Sequence, residues 1–394
     1  MNDSPAGDYT ATQPAIKTRR VYYIGGFDPR GASYYHRLYR EESVKQSSIN
    51  GSRIEVGSRR KISPLQHAWN IDAEWEGDTV TTDYRFMVWD DIVRKHWPSS
   101  HLKMLGEMVT NYTGFISCGA LGRIRRSYRS FFISLIYPIV IMSLAAIVGL
   151  SVGAILAGIM MGAGFSHALS WLVCFACLPI AIWVVVKQEE RLKTFWLLRT
   201  ILFVIRWGGF VPQGINQRMD EFADIIEQDQ QQHPCDEVMV VGHSVGAIIA
   251  VSVMARLLTR SSQHSNLELV TLGQCIPLLS LFPNAAEFRR DMKAVAIQSD
   301  IPWLDIVGRA DPLCSYEADP VEISGIHSSE LKWPQRLDIS ILKMYTSKNY
   351  KRLKLNKLRL HFQYLMSSEL KSNYDYFRLT TGSERFSYQA KNTI

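Results

Sequence analysis

EVMVVGHSVGAIIAVSVMARLLTR, Glu237 to Arg260, is the stretch from which the rest of this 394-residue chain can be placed. Val238, Met239, Val240 and Val241 form an unbroken apolar run, which predicts a strand buried on both faces. Ile248, Ile249, Val251, Met254, Leu257 and Leu258 then recur at helical spacing, which predicts a helix packed on a sheet. Between them lies Gly242-His243-Ser244-Val245-Gly246, so the junction reads strand, tight turn, helix. In such a turn the two glycines remove side chains where strand and helix crowd together, and Ser244 is held out at the top of the sheet. The Val245 N–H stands at the helix start, where an unpaired donor and the helix dipole favour a developing oxyanion. A free serine hydroxyl is a poor nucleophile, so the pattern calls for a base nearby. The competing reading of the same residues is a glycine-lined helix N-terminus with a capping serine.

On these residues the chain resembles the α/β-hydrolase family, in its lipase and esterase branch. The resemblance covers residues 20–122 and 208–394 and implies a doubly wound, mostly parallel sheet. It also implies a triad in the order Ser, Asp or Glu, His, with no metal and no organic cofactor. Residues 21–24, VYYI, read as an early strand running into Gly25-Gly26-Phe27-Asp28-Pro29-Arg30-Gly31. In the resembled family the loop after such a strand supplies the second oxyanion amide, and Gly26 or Phe27 is the candidate; a plain glycine turn is the alternative. Asp28 and Arg30 are expected to brace the loop through a local ion pair. This loop lacks the His-Gly-Gly-Gly form of many esterases.

The acid and base must follow Ser244. Strand-like Trp303 to Val307 leads into Gly308-Arg309-Ala310-Asp311-Pro312, so Asp311 falls just past a strand's C-terminal end, where ligands gather in such sheets. Asp305 inside the strand and Asp319 in the next loop are its competitors. Two histidines lie downstream of Asp311, His327 and His361. His361, in LRLHFQYLM, resembles the histidine segment of bacterial lipase-like relatives and is preferred. His243 resembles the histidine that many lipases carry beside the serine, and is not expected to act as the base.

Phe131 to Val186 passes without a Lys, Arg, Asp or Glu, and with His167 as its one histidine. A spanning helix takes about 20 apolar residues, so two spans are predicted, near 131–155 and 166–186, joined by a turn around Gly158, Gly162 and Gly164. A helical hairpin buried in the protein or in a dimer interface is the alternative. Arg123, Arg125, Arg126 and Arg129 precede the run, and Lys187, Arg191, Lys193 and Arg199 follow it, while the central turn carries no cation. The positive-inside rule then puts the catalytic part and both termini on the cytoplasmic side. Thr194 to Trp207 is read either as a helix in the interface plane or as a buried helix of the catalytic domain.

The remaining features set bounds. A net charge of +7 and a pI near 9.0 could serve nucleic acid or an anionic membrane. Basic residues bracket the apolar run and no nucleic-acid module pattern occurs, which favours membrane lipids as partners. Cys118, Cys174, Cys177, Cys235, Cys275 and Cys314 have no framework spacing and are expected to be reduced, mostly buried thiols. Residues 1–19 are polar, lack the apolar core of a secretory signal and are expected to be a disordered tail. Lys348 to His361 carries Lys348, Lys351, Arg352, Lys354, Lys357 and Arg359 without an acid, either as a solvated face or as a draw for anionic headgroups.

The reading that results is an integral membrane serine hydrolase, with hydrolase parts at 20–122 and 208–394 and a membrane insertion at 123–207. Ser244, His361 and Asp311 form its triad, Val245 with Gly26 or Phe27 its oxyanion hole, and a lipid ester is its substrate. An acyltransferase or thioesterase with the same triad, and a non-catalytic membrane scaffold of the same fold, are the alternatives.

Overall fold

A computed structural model describes residues 15–98, 100–260, 266–317 and 319–385. Among them, nine strands form one mixed sheet: β1 (Thr18–Ile24), β2 (Arg53–Val56), β3 (Arg60–Ser63), β4 (Gln66–Trp75), β5 (Asp78–Met87), β6 (Glu237–His243), β7 (Leu267–Leu272), β8 (Trp303–Val307) and β9 (Gln335–Asp338). Their order is β2-β4-β5-β1-β6-β7-β8-β9, with β3 also pairing β4. From β5 through β1, β6, β7 and β8 to β9 every neighbour is parallel, whereas β2, β3 and β5 pair antiparallel to β4. The architecture is therefore α/β with a mixed sheet.

Helices longer than ten residues are α1 (Gly31–Asn50), α2 (His101–Ser117), α3 (Arg129–Gly162), α4 (His167–Lys187), α5 (Thr194–Gly209), α6 (Ile215–Gln232), α7 (Gly246–Arg260) and α8 (Ala286–Ala296). Strand alternation divides the core into two. Tyr22, Ile24, Val238 and Val240 face a cluster that includes α2, α5, α6, α7 and α8. Val21, Tyr23, Met239 and Val241 face α1 and the C-terminal segment from Leu360 to Leu379. Covering both faces is why β6 is apolar at every central position.

β1 begins inside the expected tail. Residues 1–14 lie outside the described residues, but Thr18 and Arg19 already belong to the sheet. The Asp236 carboxylate accepts from Lys17 N–H (2.9 Å), Thr18 N–H (2.8 Å) and the Thr18 hydroxyl (3.0 Å). Arg19 forms a fully buried ion pair with Glu237 and donates to the Gly382 carbonyl at 2.8 Å, so β1 is fastened where a free tail was expected.

α3 and α4 are both long and apolar enough to cross a membrane. They pack as an antiparallel hairpin through small residues: a Cβ on Gly153 would come within 2.9 Å of Cys174 Cα, and one on Gly149 within 3.1 Å of Leu178 Cα. Their outer faces are apolar and uncovered, with Leu172 67% and Ile159 63% exposed. A hairpin buried within the protein would show the opposite. α3 also extends beyond its expected start and end, and its first turns are built into the body: Phe131, Ser134, Leu135 and Pro138 are buried, and the Leu135 carbonyl accepts from the Tyr112 hydroxyl at 2.7 Å.

Of the two readings of Thr194 to Trp207, the structure carries the buried one. Phe195, Leu198, Ile201, Leu202, Phe203 and Val204 on α5 are all 1% exposed or less. A helix lying in a lipid interface would keep one such face outside the protein; this one is enclosed by α2, α3 and neighbouring segments.

Candidate active site

The turn between β6 and α7 is tight because its neighbours leave room for nothing larger. A Cβ on Gly242 would stand 2.6 Å from Ala247 Cα, and one on Gly246 would collide with the carbonyl oxygens of Ile24 and Gly25. Ser244 between them has φ +58°, in the left-handed region that non-glycine residues enter at a cost of roughly 1–2 kcal/mol. Its N–H is held by the Leu272 carbonyl at 2.9 Å, and Ala247 N–H returns to the Ser244 carbonyl at 3.1 Å. A helix that starts at Gly246 leaves the preceding amide, Val245 N–H, at its positive end.

Beside this turn runs the Gly25–Gly31 loop. A Cβ on Gly26 would lie 3.1 Å from Ser244 Cβ and 3.5 Å from Ser244 Oγ, so the loop backbone passes directly along the serine. Trp89 Nε1 donates to the Gly25 carbonyl at 2.9 Å, and Asp28 N–H donates to the Gly26 carbonyl at 2.8 Å. The Phe27 ring is buried and stacks on Phe203 of α5 at 4.3 Å between centroids. Asp28 and Arg30 do pair, at 2.5 Å, and Tyr35 donates its hydroxyl to Asp28 at 2.9 Å. The Arg30 guanidinium also lies 3.8 Å from the Tyr34 ring centre and 4.7 Å from that of Phe362, the residue after His361. The pair thus ties this loop to the histidine segment as well as bracing it.

Asp311 follows β8 in a turn closed by Asp311 N–H donating to the Gly308 carbonyl at 3.0 Å. One carboxylate oxygen accepts from Leu313 N–H at 2.9 Å; the other meets His361 Nδ1 at 2.7 Å. Both side chains are buried, Asp311 completely. The competitors are occupied elsewhere. Asp305 accepts from the Thr271 hydroxyl at 2.7 Å inside the sheet, and Asp319 caps the short helix Pro320–Ile323. His327 lies exposed in its loop.

His243 has a positioning part in this arrangement. Its Nε2 donates to the His361 carbonyl at 2.9 Å, and the two imidazoles lie 4.8 Å apart. Burial, followed by the neighbouring His361, holds the His243 ring well below the usual histidine range, which keeps it neutral with its proton on Nε2. His243 Nδ1 is correspondingly left without a donor to accept from.

Ser244 is nearly closed off, at 8% exposed, and no hydrogen bond joins it to His361 in this conformation. Cys275 is buried beside the serine, and burial pushes its thiol up to about 12. Sequence reasoning placed Cys275 among the buried thiols but did not bring it to the serine. Its position just past β7 was the available signal, since the ends of parallel strands converge there. Phe203 was missed for a different reason: its contact with Phe27 spans most of the chain's first half and leaves no local pattern.

Among the described residues, no group of three or more His, Cys, Asp or Glu side chains is gathered closely enough to hold a metal ion. No protein-family model matches the chain, and comparison with curated proteins and with solved structures gives no match either.

Proposed function

We propose that this chain is a membrane-anchored serine ester hydrolase of doubly wound α/β-hydrolase type. The observation that carries the reading is the strained Ser244 at a strand-to-helix turn, with the buried His361–Asp311 pair beside it. In this reading Ser244 Oγ attacks an ester carbonyl, His361 Nε2 accepts the hydroxyl proton, and Asp311 holds the imidazole through Nδ1. The same proton then passes to the leaving alcohol as the acyl-enzyme forms, and water releases the acid. Val245 N–H and an amide from Gly26 or Phe27 receive the oxyanion. Substrate must first draw Ser244 and His361 into hydrogen-bond contact, a tightening common in enzymes whose free state holds its catalytic groups apart.

α3 and α4 are proposed to cross the membrane, with the sheet and both termini on the cytoplasmic side, because the flanking cations lie at the ends of the hairpin away from its turn. A hydrolase held at the bilayer meets its esters at high effective concentration, which favours a membrane lipid ester as substrate. The test is fluorophosphonate labelling of the membrane fraction. Labelling that disappears with Ser244→Ala and His361→Ala, but persists with His327→Ala, is the expected result. Folded wild-type protein that takes no label would overturn the enzyme reading in favour of a scaffold. Added alcohols that appear as new esters among the products would move it to acyl transfer.

A further inference from the structure

A cavity of about 560 Å³ lies between the base of α3, the start of α5, the loop after Asp311 and the segment before His361. Its walls include Ser134, Tyr137, Trp196, Leu197, Leu313 and Leu358. None of the three proposed triad residues reaches it, so it is a separate chamber pressed against the two loops that carry the acid and the base. Two bonds hold its back wall to the body: Ser134 donates its hydroxyl to the Pro312 carbonyl at 2.6 Å, and Tyr137 donates to the Leu192 carbonyl at 3.0 Å.

The cavity's depth relative to a bilayer follows from the register of the hairpin. Gly153 lies against Cys174 and Gly149 against Leu178, so Lys187 at the end of α4 is level with Val140 on α3. Ser130 to Tyr137 therefore sit about 5–15 Å below the end of the apolar span, at a rise of about 1.5 Å per residue. The headgroup layer is roughly 5–8 Å thick on each side, so Tyr137 lies within it while Ser134 and Ser130 lie beyond its outer boundary. Tyrosine is one of the residue types that favour the headgroup level.

Three cations also border the cavity: Arg191, Lys193 and Lys357. Among the described residues none of them forms an ion pair with a carboxylate. Lys193 is held at φ +53°, one of the few non-glycine residues in that region, while Glu189 turns inward to cap Phe195 and Trp196 N–H at 2.8 and 2.7 Å. Glu189 is thus spent on the helix, Glu317 reaches the cavity wall by accepting from Ser130 N–H at 3.2 Å, and none of the three cations forms an ion pair with either.

We infer that this cavity binds an anionic membrane phospholipid, with an acyl chain in the chamber and the phosphate against Arg191, Lys193 and Lys357. The inference rests on α3 and α4 spanning the bilayer, and not on Ser244 being catalytic. A zwitterionic lipid would fill the apolar volume equally well, but its own ammonium would offset the phosphate charge and leave the three cations less well matched.

The test uses the full chain in phosphatidylcholine nanodiscs carrying a trace of phosphatidylglycerol with a photoreactive diazirine on one acyl chain. Adducts mapped by mass spectrometry should fall on residues 133–137, 196–197 and 355–358 as well as on the outer faces of α3 and α4. Unlabelled phosphatidylglycerol should suppress the cavity adducts at least tenfold, and extra phosphatidylcholine should not. Combining Arg191→Gln, Lys193→Gln and Lys357→Gln should also lower them at least tenfold while the adducts on the spans persist, which reports that the hairpin is still inserted. Adducts confined to the outer faces of α3 and α4 would overturn the inference, as would cavity labelling that phosphatidylcholine competes equally. Absence of any adduct on α3 and α4 would overturn the membrane reading beneath it, whatever the outcome of fluorophosphonate labelling.

Discussion

Replacing Ser244 by glycine should make the protein more resistant to unfolding while it removes the proposed nucleophile. At φ +58° a residue with a Cβ bears roughly 1–2 kcal/mol of steric cost that glycine does not. Glycine gives back roughly 0.5–1 kcal/mol of that difference through its greater freedom in the unfolded chain. The hydroxyl is lost equally in Ser244→Ala, so the informative comparison is glycine against alanine. At an ordinary φ glycine would be less stable by about 0.5–1 kcal/mol; here it should be more stable by about the same amount. The sign of the difference, more than its size, decides the matter. Thermal unfolding of the full chain can be followed by its ten tryptophans, with scan rates matched because large proteins often unfold irreversibly. A kilocalorie per mole moves Tm by roughly 2–4 °C in domains of 150–250 residues, so a gap of about 1–3 °C is expected. Neither variant should take up a fluorophosphonate. An alanine variant at least as stable as the glycine variant would refute the claim that this turn stores strain.

Three further outcomes follow from the same geometry. Asp311→Asn should slow fluorophosphonate labelling by about 10³–10⁴-fold because it removes the carboxylate charge that faces His361 Nδ1, whereas Asp305→Asn and Asp319→Asn should leave labelling rates within a few fold; an effect of equal size at all three would remove Asp311 from its proposed role. Asp305 is wholly buried, and burial lifts its carboxyl from 3.8 to about 6, so the folded state keeps a proton that the unfolded chain releases. Its stabilising contribution is complete below about pH 4 and is lost as pH rises through about 6, a change of about 3 kcal/mol; wild type should therefore lose ground to Asp305→Asn between pH 4.5 and 7.5, and a pH-independent difference in Tm would contradict this. In the hairpin, Gly153→Leu forces a side chain onto Cys174 and should cost at least about 2 kcal/mol, while Gly158→Leu points into open space and should stay within about 0.5 kcal/mol, as read by the temperature at which proteolysis opens α3 and α4.

The residues that could be read in advance were those where chemistry or crowding acts within a few positions. Gly242 and Gly246 mark the turn because strand, helix and the Ile24–Gly25 backbone meet there, and that constraint is local enough to leave a pattern. The Asp311 loop was legible as a strand followed by Gly308 and an acid, and β8 falls where its apolar run puts it. His361 was favoured by family likeness; its bond to Asp311 supplies the physical reason. β4 was missed although its residues alternate between buried and exposed along most of its length. Its turn into β5 uses Glu76 and Gly77, both at positive φ, and glutamate is a rare occupant of the first of these positions. Four-residue β9 has no periodicity to find. The burial of α5 was unreadable for a different reason: an aromatic helix with interspersed arginines looks the same from sequence whether lipid or protein covers it.

The position of the hairpin within the chain also orders the protein's birth. β1 and β5 are synthesised before α3 and α4, but β6, which completes the sheet beside β1 and carries Ser244, is made only afterwards. With the hairpin in a bilayer as proposed, the ribosome must deliver both spans before β6 exists. His361 emerges later still, roughly 10–35 s after Lys187 at a synthesis rate of about 5–20 residues per second. Under that proposal both spans are made before the proposed triad can assemble, so the nascent chain has no complete site while the spans are being delivered. The hairpin would then order the appearance of the site in time as well as hold it in space.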